Sequence, residues 1–567
     1  MKVSDYITDF FVQNRIEIVF GYMGKNIYIS DSVDKNKNIK NIFSIHEQGS
    51  GFAGAGYSRS TGKPSAVVVT SGPGATNIIT PIADCYFDGV PSIFIVADVP
   101  QNECKVDKKV RQFGFQEMDL VSVTKSITKY SVAISDIKNL RYELEKAHFI
   151  SQAPRRGPVF MSIPENLHYI DDYNPDNYIS FYGSQEHKEL LSDIFIQKKY
   201  NFSRALKVVD LIEKSSNPLI LVGGGVRASK AVKEIRKFLN NTKIPMVYSL
   251  MGKDVVPANY KYNMGLIGEY GLKHANLAIE NSDLIIILGS RLDHFQIGKD
   301  TKKFAKNAKI IRVDIDPNEL TARIDSEIPI LQDIKVFLKE LNELDWDLNL
   351  DRWHKQLLDY RVKYQVEYNL DIPQRTGNKI VSKISKCLKD DDIICVDVGE
   401  HQMLVAQSLN VKKSQRVLFS GGLGTMGFAL PSAIGAVLAT NRRAIVISGD
   451  GGFQMNLQEL EVIKRNNLPI KIFIINNEAL QMIKLKQDVS LEGNSVGSKK
   501  GYSAPNFKKI SEAYGIDAFE VKDIDMIGNL MKYMLKDDNP ALMDIQIDSS
   551  LSVAVKSSSI DENRAVV

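Results

Sequence analysis

Between Ser448 and Asn477 the chain reads SGDGGFQMNLQELEVIKRNNLPIKIFIINN. Ala444 to Ile447 is a short β-branched strand, Gly449-Asp450-Gly451-Gly452 is a tight turn, Met455 to Lys464 has helical spacing, and Ile470 to Ile475 is a second buried strand. This is a βαβ unit, and such crossovers make parallel neighbours. Asp450 and Asn477 therefore fall just past the carboxyl ends of adjacent strands, where open α/β sheets take their ligands. A carboxylate and an amide are both hard oxygen donors. They suit Mg²⁺, which takes its remaining oxygens from water and from a diphosphate. The glycines beside Asp450 let backbone N–H groups approach that diphosphate at a helix start.

Gly449-Asp450-Gly451, about two dozen residues, then Asn476-Asn477 resembles the Mg²⁺-thiamine diphosphate motif of the thiamine-dependent enzymes. The resemblance implies that Asp450, Asn477 and the carbonyl of Ala479 hold the metal. It also brings Gly449, Gly451, Gly452 and Met482 to the cofactor.

Size and composition agree with a chain of several ordinary domains. There are 567 residues, 44% hydrophobic and 25% charged, enough for three or four cores. Seventy-two basic and 68 acidic residues leave a formal charge of +4 without a basic block, so nucleic acid is not implied. No apolar run approaches the length of a membrane span, and MKVSDYITDFFVQNR lacks the apolar core of a signal peptide. Cys85, Cys104, Cys387 and Cys395 show no metal or redox spacing. Free thiols in the cytoplasm are the expectation.

Strand and helix patterns alternate in three blocks. These are residues 1–170, 190–345 and 365–550, with a tail at 551–567. Strands are expected at Asn41 to Ile45, Ala66 to Thr70, Ser92 to Ala97 and Gly157 to Ile163 in the first. Pro218 to Val222, Leu284 to Leu288 and Lys309 to Ile315 serve the second, and Ile393 to Val396 joins the two βαβ strands in the third. The polar stretch Asp171 to Lys188 reads as a linker. The fold class is α/β, with three doubly wound parallel sheets covered on both faces. The order resembles the pyrimidine-binding, central and diphosphate-binding domains of the acetohydroxyacid synthase and pyruvate oxidase branch. In that branch the cofactor lies between the first block of one subunit and the third of another. A homodimer is then the smallest active unit, and a homotetramer is allowed.

The same resemblance distributes the remaining roles. His46-Glu47-Gln48, followed by Gly51, Ala53, Ala55 and Gly56, matches the motif whose Glu hydrogen-bonds the cofactor's aminopyrimidine, which makes Glu47 the catalytic carboxyl. Burial beside apolar surface is expected to favour its protonated form. Val69 to Asn77, VTSGPGATN, resembles the Gly-rich turn against the cofactor cleft, and Phe115-Gln116-Glu117 matches a segment whose Phe and Gln line the substrate pocket. Gly421 to Gly427 resembles the segment that holds the pyrimidine through the Gly424 carbonyl and wedges it with Met426. Gly399-Glu400-His401-Gln402 fits a diphosphate-contacting GQHQ, with Glu400 where Gln is usual, so Glu400 is expected to contribute backbone only. Gly223-Gly224-Gly225, Arg291, Asp314-Ile315-Asp316 and Gln332-Asp333 resemble the FAD-binding central domain, which implies FAD.

Three positions depart from the acetohydroxyacid synthases. Phe295 stands where an Arg binds the carboxylate of the second 2-keto acid, and Phe cannot make that bidentate pair. Lys486 stands where a Trp follows the Asn pair, with Gln481 in the same pocket segment. Lys25 follows Gly21-Tyr22-Met23-Gly24 where the family has a small residue. The expectation is a carboligase that decarboxylates pyruvate and transfers the acetyl unit to a ketone or aldehyde acceptor, a nucleotide-linked keto-deoxysugar that becomes branched. An acetolactate synthase and an FAD-dependent pyruvate oxidase are the alternatives. A non-catalytic regulatory homologue is disfavoured because Glu47, Asp450 and Asn477 are all present.

Overall fold

The computed structural model describes residues 1–104, 109–198, 202–364 and 375–550. The tail at 551–567 and the first ten residues of the third block, 365–374, lie outside them. The first sheet comprises β1 (Ile18–Gly21), β2 (Lys40–Phe43), β3 (Ser65–Thr70), β4 (Ser92–Asp98), β5 (Tyr130–Ala133) and β6 (Pro158–Pro164), in the order β2-β1-β3-β4-β6-β5. The second comprises β7 (Pro218–Val222), β8 (Met246–Tyr248), β9 (Asn263–Leu266), β10 (Leu284–Leu288), β11 (Lys309–Asp314) and β12 (Ile328–Leu331), ordered β12-β11-β10-β7-β8-β9. The third comprises β13 (Ile393–Val396), β14 (Arg416–Leu418), β15 (Ala444–Gly449), β16 (Ile470–Asn476), β17 (Asp517–Val521) and β18 (Ala541–Gln546), ordered β14-β13-β15-β16-β18-β17.

Every pairing within these sheets is parallel, as expected of strands buried on both faces. β10, Leu-Ile-Ile-Ile-Leu, is buried at all five positions. The winding direction reverses between β1 and β3 in the first sheet, between β7 and β10 in the second, and between β13 and β15 in the third. Such switch points open a crevice at the carboxyl ends of the strands.

The first and third sheets share a core. The helix Glu47–Thr61 lies against the helix Ala429–Thr440, with Phe52 and Phe428 edge to face at 5.8 Å. Backbones meet directly there, because a Cβ on Gly56 would stand 2.0 Å from the Ser432 carbonyl oxygen and one on Gly435 1.8 Å from that of Ala53. Asp254 fastens the central domain to the third: its carboxylate receives Arg227 Nε at 2.9 Å, Arg416 Nε at 2.8 Å and the Val417 amide at 3.0 Å.

Two expectations need correction. The helix placed at Met455 to Lys464 begins five residues earlier: Asp450–Gln454 is helical, Leu457–Glu459 is a 3₁₀ turn, and Leu460–Arg465 resumes. The break falls at Asn456, whose side-chain amide leaves the helix to reach the Gly427 carbonyl at 2.8 Å. The linker at Asp171 to Lys188 is in part packed structure. Tyr173 and Phe181 are buried, and the helix Gln185–Lys198 begins inside it. Polar neighbours mask those two anchors in the sequence.

Candidate functional site

The third sheet's switch point gathers the acid and amide anticipated from spacing. Asp450 follows the last residue of β15, and Asn477 follows the end of the adjacent β16. Both are buried. Asp450 Oδ2 accepts the Tyr502 hydroxyl at 2.9 Å, and Asn477 Oδ1 accepts the Ala479 amide at 3.1 Å. Burial pushes the Asp450 carboxyl up to about 6. A carboxylate, a side-chain amide and nearby carbonyls are hard oxygen donors, which fit Mg²⁺. No group of three or more His, Cys, Asp or Glu that could hold a metal occurs among the described residues.

These groups line a cleft of about 1720 Å³ that runs from the third domain into the central one. Gly399, Glu400, His401 and Gln402 line it, and so do Gly424 and Met426. Gly449, Gly451 and Gly452 surround Asp450, while Ala479, Gln481 and Met482 follow Asn477 along another wall. Burial pushes the His401 imidazole down to about 4, and its Nε2 has no partner among the described residues. A buried ring nitrogen of this kind calls for a polar group that the protein does not supply, and a diphosphate oxygen fits it. Glu400 is buried at the first turn of the helix Glu400–Ser408.

Sequence reasoning misses Asp397 and Tyr502. Asp397, just past the end of β13, is buried and accepts the amides of Val398 at 2.8 Å, Gly427 at 2.9 Å and Ala429 at 3.0 Å. Burial pushes it up to about 6 against those three donors. It fixes one end of the loop that carries Gly424 and Met426. Its position past a strand end, like that of Asp450, is the available signal. Tyr502 has none, because 52 residues separate it from Asp450.

The central-domain expectations divide. Gly224, Gly225, Arg291 and Asp333 line the same cleft, together with the half-exposed Phe295. Gly223 packs against the Gly289 backbone instead. Asp316 lines a neighbouring cavity of about 530 Å³ and pairs with Arg155 at 3.4 Å. Lys486 is exposed on the helix Gln481–Ser490 and does not line the cleft.

Glu47 belongs to the other switch point. It is buried at the start of its helix, and its Oε2 accepts the Asn77 side-chain amide at 3.0 Å. Asn77 closes the turn after β3, whose Gly74 also packs against Glu47. Lys25, Phe115 and Gln116 cluster on this first-domain side. None of them lines the cleft of Asp450 in the same chain, and neither does Glu47. The flanking Tyr22, Met23, Ile45, Phe113 and Met118 are exposed.

Comparison with known proteins places the chain in a family. The N-terminal TPP binding domain of the thiamine pyrophosphate enzymes matches residues 1–123, their central domain residues 206–341, and their C-terminal TPP binding domain residues 397–545. Acetolactate synthase 2 from the chloroplast of Nicotiana tabacum is 33% identical, over 96% of this chain and 82% of its own. The acetolactate synthase large subunit of Lactococcus lactis is 34% identical over 94% and 90%, and that of Buchnera aphidicola 33% over 95% and 93%. With an acid-amide pair at one switch point and a buried glutamate at another, the chain belongs to the thiamine pyrophosphate enzymes, as an acetolactate synthase-like member.

Proposed function

We propose that the protein decarboxylates pyruvate and transfers the acetyl unit to a keto acceptor, with each active site shared between two chains. The observation that carries this is the cleft in which Asp450, Asn477 and Ala479 converge beside the unpartnered Nε2 of His401. Thiamine diphosphate, when bound, supplies the electron sink that lets pyruvate lose carbon dioxide. Asp450, Asn477 and the Ala479 carbonyl would hold Mg²⁺, and His401 Nε2 would meet the diphosphate. Gly424 and Met426 support the pyrimidine. Glu47, oriented by Asn77, holds a proton at the far pyrimidine nitrogen. Because Glu47 and Gln116 lie off the cleft of their own chain, they serve the cofactor held by a second copy, whose approach would cover the exposed Tyr22, Met23 and Phe113.

FAD is the third cofactor in this reading. A cleft of about 1720 Å³ exceeds what one small ligand needs, roughly 300–1,000 Å³, and its central-domain end carries Gly224, Gly225, Arg291 and Asp333. For the acceptor, Phe295 offers no cation to a carboxylate, which favours a ketone such as a nucleotide-linked keto-deoxysugar. The names of the relatives favour a second reading, in which pyruvate itself is the acceptor and acetolactate the product.

Purified protein supplied with thiamine diphosphate, Mg²⁺, FAD and pyruvate tests the proposal. Carbon dioxide release is expected, with product analysis over a panel of ketones, aldehydes and nucleotide-linked keto-sugars naming the acceptor. Efficient acetolactate formation that ignores every ketone selects the second reading, and oxygen uptake selects an oxidase. Absence of carbon dioxide release refutes the function altogether.

A further inference from the structure

We propose that Lys25, presented by Gln116 and Ser71, is a subsite for an oxyanion carried by a substrate, a carboxylate or a phosphate. The proposal rests on the reading above that the Glu47 side of the first domain faces the cofactor of a second chain. It concerns a residue that the acetolactate synthase pattern does not contain.

Lys25 follows β1, and its amide donates to Thr70 Oγ1 at 3.2 Å, which pins the loop to the end of β3. Its ammonium donates to Gln116 Oε1 at 2.5 Å and to Ser71 Oγ at 3.1 Å, and the Phe115 ring centroid lies 5.8 Å away. Both acceptors are neutral. Among the described residues no carboxylate pairs with it, and the acids that feel its field, Asp98 and Glu165, stand beyond ion-pair distance. Asp98 is engaged by the Ser162 hydroxyl and the Val99 amide. An ammonium has three donors, and two are used here. A half-buried cation with one donor left and no counter-charge favours an incoming anion.

The surrounding backbone is built to hold this arrangement. Gln116 has φ +69°, a left-handed conformation that a non-glycine residue seldom adopts. It persists because the Gln116 side chain packs on Gly72, where a Cβ would meet it at 2.7 Å and where φ is itself +63°. The turn that supplies Ser71 and Gly72 continues through Gly74 to Asn77, which holds Glu47. Lys25 and Glu47 thus bracket a single turn, and an anion on Lys25 would place the rest of its molecule beside the carboxyl.

The test compares Lys25→Met with Lys25→Arg. Carbon dioxide release by the wild type comes first; its absence sinks the functional reading and this subsite together. Given that activity, the KM for pyruvate in carbon dioxide release reads a contact with the donor's carboxylate. The ratio of kcat/KM for an anionic acceptor to that for a neutral ketone reads a contact with the acceptor. Loss of one charge-assisted hydrogen bond is expected to move one of the two by about tenfold or more in Lys25→Met, with most of it recovered in Lys25→Arg. Which quantity moves names the source of the anion. If neither moves in a variant that circular dichroism finds folded, the subsite is wrong. Should Lys25→Met not fold, Lys25→Gln takes its place under the same criteria.

Discussion

Asp88 of the first domain accepts the amide of Gly422 of the third at 2.7 Å. The same carboxylate takes the Gly421 amide at 3.1 Å and Arg59 Nη2 at 2.6 Å. Arg59 also reaches Asp84 at 2.8 Å and lies 4.8 Å from the Phe428 ring centroid. Asp84 in turn accepts the Ser420 hydroxyl at 2.5 Å, and Ser420 Oγ accepts the Thr425 amide at 2.9 Å. The loop that carries Gly424 and Met426 is therefore gripped at its start by two first-domain acids and at its end by Asp397. Its conformation belongs to the interface between domains rather than to its own glycines.

Asp88→Ala would leave two amides unpaired and Arg59 with a single counter-ion. A buried ion network broken on one side costs about 3–5 kcal/mol, so urea denaturation should show a loss of that order. The thiamine diphosphate concentration for half-maximal activity should rise with it. Wild-type stability together with wild-type cofactor affinity would remove the loop's dependence on the first domain.

Glu459 predicts a pH dependence of stability. It is fully buried, and its carboxyl accepts the Ile45 amide at 3.2 Å, beside the start of the Glu47 helix. Burial raises it from 4.5 to about 7, while the Ile45 and His46 amides pull the other way. Between those pH values the folded protein keeps a proton that the unfolded chain has released, so stability falls as pH rises through that window. Melting temperatures measured from pH 4.5 to pH 7 should decline more steeply for the wild type than for Glu459→Gln. Parallel curves would mean that Glu459 is ionised throughout.

Two glycine substitutions separate close packing from helix propensity. A Cβ on Gly435 would stand 1.8 Å from the Ala53 carbonyl oxygen and 2.8 Å from the Tyr57 amide, both backbone atoms that cannot swing aside. Gly435→Ala should destabilise by about 1–3 kcal/mol or more. Gly528 lies in the helix Ile527–Met534, where an added Cβ would find nothing within 4 Å, and Gly528→Ala should stabilise by about 0.5–1 kcal/mol. A neutral Gly435→Ala would show that the two domains are free to move apart there.

The repeated α/β architecture is legible because parallel strands are unbroken apolar runs: β7, β10 and β13 fall at the expected residues. Asp450 and Asn477 are legible because one crossover fixes their spacing. Tyr502, Asn77 as the partner of Glu47, and the Arg59 network are not, since each joins positions far apart in sequence through side-chain geometry alone. The helix start at Asp450 is hidden because two glycines resemble a turn until tertiary contacts hold them. Lys486, matched in sequence to a Trp, is exposed on its helix in the single chain.

Sharing of the site between chains is tested by combining two dead variants. Glu47→Gln should abolish carbon dioxide release without unfolding the protein, because only a proton-holding group is exchanged. Asp450→Ala should abolish it by removing the metal-side carboxylate. If Glu47 serves the cofactor of the other copy, a hybrid dimer of these variants contains one site with both lesions and one with neither. Random assembly makes half of the dimers hybrids, each with one intact site of two, so co-expression should restore about a quarter of wild-type activity. If Glu47 and Asp450 instead acted within one chain, every site in every dimer would carry a lesion and no activity would return. The separation of Glu47 from the cleft that Asp450 lines makes restoration the expected result.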